Sequence, residues 1–254
     1  MTPTSGELEH AGQRLAWRPV EGRAPTTVWL GGFRSDMTGT KAEALADRAA
    51  AEGRAFVRFD WTAHGASTGD FVRDGTITRW REDALAVLDR LTAGRLVLVG
   101  SSMGGWLACL AALARPERIA GLVLIAPAAD FTGKLLRPGL PPEAHAALAK
   151  DGVWMEPSDY DPAGYPITAR LLDDGDRWSI LPGPVPITAP ARILQGALDE
   201  PVPWRHALAL AEALTGADVV FTLVKDGDHR LSRPQDIARL HAAVAELTGN
   251  PSGH

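Results

Sequence analysis

Short apolar blocks recur along this chain at 27–30, 55–59, 95–99, 119–125, 191–195 and 218–224. They are too short for helices and rich in Val, Leu and Ile, so they predict strands buried on both faces, as parallel sheets flanked by helices require. Longer stretches with few helix breakers separate them, predicting helices over 41–52, 76–91, 103–114, 204–214 and 234–247. Gly53, Gly94 and Pro116 stand where three of those helices must stop. Alternation of strand and helix gives an α/β fold with a mostly parallel central sheet. The rhythm breaks between about 128 and 188, where prolines crowd 137–142 and again 181–186 around a helical stretch at 143–150. This segment reads as a small helical cap inserted after the sixth strand. The whole chain, 1–254, reads as one domain.

Composition narrows the function by exclusion. There are 26 basic against 31 acidic residues, a net charge of −5, and no basic run, so the electrostatic footprint of a nucleic-acid binder is missing. The one cysteine, Cys109, permits neither an intramolecular disulfide nor a cysteine-based metal cluster. It lies on the helix at 103–114 and reads as a packed core thiol. The first residues carry no basic start followed by an apolar stretch, and no apolar run reaches membrane-spanning length, so neither secretion nor membrane attachment is expected. A cytoplasmic location is the expectation.

Chemistry concentrates at Gly100-Ser101-Ser102-Met103-Gly104, a Gly-x-Ser-x-Gly motif between a strand and a helix. A sharp strand-to-helix turn exposes the central hydroxyl, and the glycines avoid collisions that side chains would cause there. Reading Ser101 as the central serine would put Val99 where the first glycine belongs, which leaves Ser102 as the nucleophile. A serine needs a base, and His229, in a turn just after the strand at 218–224, fits best. His10 and His254 lie in terminal segments, His145 in the cap, His206 and His241 within helices, and His64 after the second of these strands. The expected chain order of serine, acid, histidine calls for a carboxylate after the strand at 191–195. Asp199 meets that condition, with Glu200 as the competing group and Asp228 as a turn stabiliser. The oxyanion hole is expected from the Met103 N–H and from the Phe33 N–H in Leu30-Gly31-Gly32-Phe33.

These residues resemble the serine-nucleophile branch of the α/β-hydrolase superfamily. Further words sharpen the likeness: Gly39-Thr40-Lys41-Ala42, Arg58-Phe59-Asp60, Trp80-Arg81-Glu82-Asp83, Gly152-Val153-Trp154, Val202-Pro203-Trp204 and Asp228-His229-Arg230. They are similar to the palmitoyl-protein thioesterase and acyl-glucuronide esterase subgroup of α/β-hydrolase domain proteins. The resemblance implies hydrolysis of carboxylic esters or thioesters through an acyl-serine intermediate. No metal and no cofactor is called for, and the expected partner is a small-molecule or acylated substrate. Trp154, Met155, Tyr160 and Trp178 either line the substrate site or form the cap's own core. Peptide or carbon–carbon bond hydrolysis, or ligand binding without catalysis, are the alternatives.

Overall fold

The structure is a computed structural model and describes residues 5–157 and 164–249. An eight-stranded sheet forms its centre. The strands are β1 (Gly6–His10), β2 (Gln13–Val20), β3 (Arg23–Leu30), β4 (Arg54–Phe59), β5 (Leu96–Ser101), β6 (Ile119–Ile125), β9 (Ala191–Gly196) and β10 (Val219–Val224). Their spatial order is β1-β2-β4-β3-β5-β6-β9-β10, parallel from β4 to β10 and antiparallel at β1 and β2. The expected mostly parallel sheet is present, with the six predicted strands in it.

Helices cover both faces. These are α1 (Thr40–Glu52), α2 (Phe71–Asp74), α3 (Ile77–Leu91), α4 (Met103–Ala114), α8 (Trp204–Ala213) and α9 (Pro234–Thr248). Period-two alternation decides which face each strand residue serves. Leu96 and Leu98 of β5 pack with Trp80 and Val87 of α3, Leu107 of α4 and Leu210 of α8. Val97 and Val99 pack on the opposite side with Leu45 of α1 and Leu240 of α9. Helix α4 runs through the core, with Met103 to Ala112 all buried, which explains its nearly uninterrupted apolar sequence. Gly53 ends α1 in the left-handed conformation (φ 62°), as its place after the alanine-rich stretch predicts.

The excursion between β6 and β9 holds α5 (Arg137–Gly139), α6 (Pro142–Asp151), a two-stranded antiparallel hairpin of β7 (Val153–Glu156) and β8 (Tyr165–Thr168), and α7 (Ala169–Arg177). Leu140, Ala144, Ile167 and Leu172 form its own small core. Its base is pinned at Asp130, a buried residue at φ 55° just past β6. That carboxylate accepts the Ser179 hydroxyl at 2.6 Å, the Ile180 N–H at 2.9 Å and the Leu181 N–H at 2.8 Å. The sequence reading of this segment as helical missed the hairpin. The β1–β2 hairpin was missed as well, although its turn at Ala11-Gly12 has both φ angles positive. Among the described residues no helix is long and apolar enough to cross a membrane.

Candidate active site

The chain leaves β5, bends at Ser102 and enters α4. Ser102 takes φ 53° and ψ −119°, a conformation that costs an ordinary residue about 1–3 kcal/mol and persists only where its surroundings enforce it. The enforcement comes from β6: the Ser102 N–H donates to the Ile125 carbonyl at 2.9 Å, and the Ser102 carbonyl accepts the Ala128 N–H at 3.1 Å. The flanking glycines are steric necessities. A Cβ on Gly104 would stand 2.0 Å from the Leu30 carbonyl oxygen, and one on Gly100 would stand 2.3 Å from the Gly104 carbonyl oxygen.

Gly32 comes alongside this bend, where a Cβ on it would lie 3.5 Å from that of Ser102. Its carbonyl is turned toward Ser35, accepting the hydroxyl at 2.9 Å and the N–H at 3.3 Å. In a trans peptide the C=O and N–H point opposite ways, so this pair of bonds directs the Phe33 N–H away from Ser35. Among the described residues neither the Phe33 N–H nor the Met103 N–H has a protein acceptor. The role of Ser35 was invisible in the sequence, because any small polar residue suits a loop.

His229 and Asp199 meet from adjacent strand ends, with Nδ1 at 2.8 Å from Oδ2. Asp199 is buried, and its second oxygen accepts the Val202 N–H at 2.8 Å. The fully buried Gln195 adds a third bond, its Nε2 donating to Asp199 Oδ2 at 3.0 Å and to the Val202 carbonyl at 3.0 Å. Carbonyl oxygens cannot donate, so the Gln195 amide is oriented with its N–H groups toward Asp199. Gln195 was not expected in the site from its sequence position, although an amide inside a buried strand is a signal, since such a group must be satisfied by something. Glu200, the competing carboxylate, is exposed. Asp228 accepts the Leu231 N–H at 2.9 Å and stabilises the turn. His206 and His241 face the backbone carbonyls of Ala129 and Ala44.

Ser102 and His229 line one cleft of about 330 Å³, together with Gly32, Phe33, Ser35, Lys41 and Arg230. Lys41 crosses from α1 to the His229 loop, donating to the Arg230 carbonyl and, at 3.3 Å, to the Ser232 hydroxyl. Burial pulls its ammonium from the usual 10.5 down to about 8. Between those values the unfolded chain carries a proton that the folded chain lacks, so stability rises with pH across the window. We expect the melting temperature of the wild-type chain to gain on that of Lys41→Met as pH is raised from 8 toward 10.5. A pH-independent difference between the two would show that Lys41 is not held in this way.

Trp154, Met155 and Trp178 are not among the residues lining this cleft. Trp154 packs on the cap core, and Met155 is exposed. Trp178 donates its indole N–H to Thr78 Oγ1 at 2.7 Å and lies beneath the Arg81 guanidinium, against α3. Tyr160 lies outside the described residues, as does His254. Trp154 is thus engaged by the excursion's own core and Trp178 by α3. Among the described residues no cluster of His, Cys, Asp and Glu is arranged to hold a metal. Cys109 is wholly buried in α4, as expected.

A family model described as serine aminopeptidase S33 matches residues 32–155, which span the Gly32 loop and the serine bend. The chain is 37% identical over 234 residues to the mitochondrial palmitoyl-protein thioesterase ABHD10 of Mus musculus, covering 92% of this chain and 78% of that protein. The solved structure of mouse ABHD10 superposes with a TM-score of 0.88 at 34% identity, covering 98% of this chain and all of the other. A protein of Agrobacterium vitis S4 superposes with a TM-score of 0.90 at 44% identity, covering 97% of this chain and 98% of the other. The chain thus belongs to the α/β-hydrolase family, in the serine-hydrolase group that includes ABHD10.

Proposed function

We propose that Ser102, His229 and Asp199 form a catalytic triad that hydrolyses acyl thioesters and activated esters. The observation that carries this reading is the His229–Asp199 pair at 2.8 Å, opening on the same cleft as Ser102. Asp199 holds a proton on Nδ1 of the neutral imidazole, leaving Nε2 free to accept the Ser102 proton as Oγ attacks the substrate carbonyl. The N–H groups of Phe33 and Met103, unpartnered within the described residues, supply donors for the negative charge that builds on the carbonyl oxygen. Collapse of the tetrahedral intermediate expels the thiol or alcohol, which takes the proton back from the imidazolium. Water then repeats the sequence on the acyl-serine, releasing the acid and restoring the hydroxyl.

Support for thioesters comes from the ABHD10 relatives, named as palmitoyl-protein thioesterases. The aminopeptidase family model favours a second reading, cleavage of peptide amides. Chemistry separates the two. An amine leaving group must be protonated before it departs, whereas a thiolate with a pKa near 8.5 leaves with little help. A panel of acyl thioesters of increasing chain length, p-nitrophenyl esters and aminoacyl amides should show turnover on the first two classes and little on the third. Peptidase turnover without esterase or thioesterase activity would overturn the assignment. A cytoplasmic location is part of the same proposal, while the named relatives are mitochondrial.

A further inference from the structure

Outside the triad, one buried histidine has both ring nitrogens in use. His64, in the loop after β4, is only 5% exposed. Its Nδ1 lies 3.2 Å from the Thr62 carbonyl, and its Nε2 lies 3.1 Å from the backbone nitrogen of Arg34. A carbonyl can only accept, so Nδ1 carries the hydrogen and Nε2 presents a bare lone pair to the Arg34 N–H. The two contacts demand the same tautomer. Burial, with the Arg34 guanidinium nearby, lowers the imidazole below its usual value and favours this neutral form. The rings of Phe33, Phe71 and Trp80 surround it at centroid distances of 6.5, 5.6 and 5.3 Å.

Arg34 directly follows Phe33 and stands at φ 59°, where a residue with a side chain needs external support. Its guanidinium is held at the far end by Glu156 of β7 at 2.7 Å and by the rings of Phe33 and Tyr165. On the backbone side, His64 holds the Arg34 N–H. The Phe33–Arg34 peptide is therefore fixed from β4, while Ser35 fixes the Gly32–Phe33 peptide through the Gly32 carbonyl.

We propose that His64 is a positioning residue for the oxyanion hole: as a neutral acceptor it holds the Arg34 N–H and so keeps the Phe33 N–H aimed at the oxygen of the tetrahedral intermediate. This rests on the reading of Ser102 as nucleophile and Phe33 as oxyanion donor. Loss of the acceptor leaves a strained loop free to turn, and the effect falls on the transition state, where the oxyanion exists, and not on the bound ester.

The test compares His64→Leu with His64→Gln, because a glutamine amide oxygen reaches the place of Nε2 and leucine offers no acceptor. For His64→Leu we expect kcat to fall roughly 10–100-fold, below the 10²–10³ lost with an entire oxyanion donor, and KM to hold within about threefold. Inhibition by an alkyl trifluoromethyl ketone, which forms a tetrahedral oxyanion adduct on the serine, should weaken by the same factor. His64→Gln should recover most of both. If leucine prevents folding, His64→Asn, whose amide reaches Thr62 but stops short of Arg34, takes its place in the comparison. A folded His64→Leu or His64→Asn with wild-type kcat would overturn the proposal. So would a glutamine variant impaired as deeply as leucine, or a kcat loss with ketone affinity unchanged. Ser102→Ala run alongside separates the two levels: full activity there defeats the triad reading itself, whereas an inactive Ser102→Ala beside unimpaired His64 variants defeats only this inference.

Discussion

Ser102→Ala should lose turnover by roughly a millionfold, the scale seen when a protease loses its serine, while keeping its fold. The substitution deletes one hydroxyl that faces a cleft and removes no buried methylene. The strained backbone at φ 53° is held by the Ile125 carbonyl and the Ala128 N–H, neither of which involves the side chain. Intact-mass analysis after treatment with a fluorophosphonate should show one adduct on the wild-type chain and none on the variant, with thermal melts superimposed. An adduct that survives on Ser102→Ala would assign the nucleophile elsewhere.

Asp199→Asn should cost on the order of 10⁴ in kcat, by analogy with the protease case in which an amide at this position stabilises the wrong histidine tautomer. Three donors converge on the Asp199 carboxylate: the Val202 N–H on one oxygen, Gln195 Nε2 and His229 Nδ1 on the other. An asparagine must aim its own NH₂ at one of those groups. Facing His229, it donates to Nδ1 and drives the ring hydrogen onto Nε2, where the Ser102 proton has to go. Facing Val202, it sets two donors against each other in a buried site, at about 1–3 kcal/mol. Glu200→Gln should stay close to wild type, since that side chain is exposed. Steady-state kinetics of both variants on a p-nitrophenyl ester make the comparison, and a larger loss at Glu200 would mean that the wrong carboxylate has been named.

The parts of the site legible in the sequence are those where chemistry restricts the residue type and topology restricts the place. Gly100 and Gly104 admit no Cβ, so the serine bend announces itself, and chain order then leads to Asp199 and His229. The parallel strands were legible because burial on both faces leaves unbroken apolar runs such as Leu122 to Ile125. The hairpins escaped for the opposite reason. In β2 only Leu15 is buried, and β7 has no fully buried residue, so neither shows a long apolar signal. Lys41 acts through Arg230 and Ser232, far along the chain, and Ser35 is a small polar residue of the kind any loop carries, so nothing local in the sequence marks either. Between lining a substrate site and packing a core, the sequence left Trp154 and Trp178 open, because size and apolarity do not say which neighbour a ring will meet.

The bond set at Asp130 has a consequence for how such a chain can diversify. One carboxylate ties the point of departure to the point of return across 50 residues, so the ends of the excursion are fixed independently of what lies between them. Exchange or lengthening of the intervening segment then costs little closure entropy, since that cost grows only with the logarithm of loop length. The sheet and the serine bend need not readjust. The excursion becomes an exchangeable cassette, grafted at a single acidic post, whereas the serine bend and the His229–Asp199 pair stay with the scaffold.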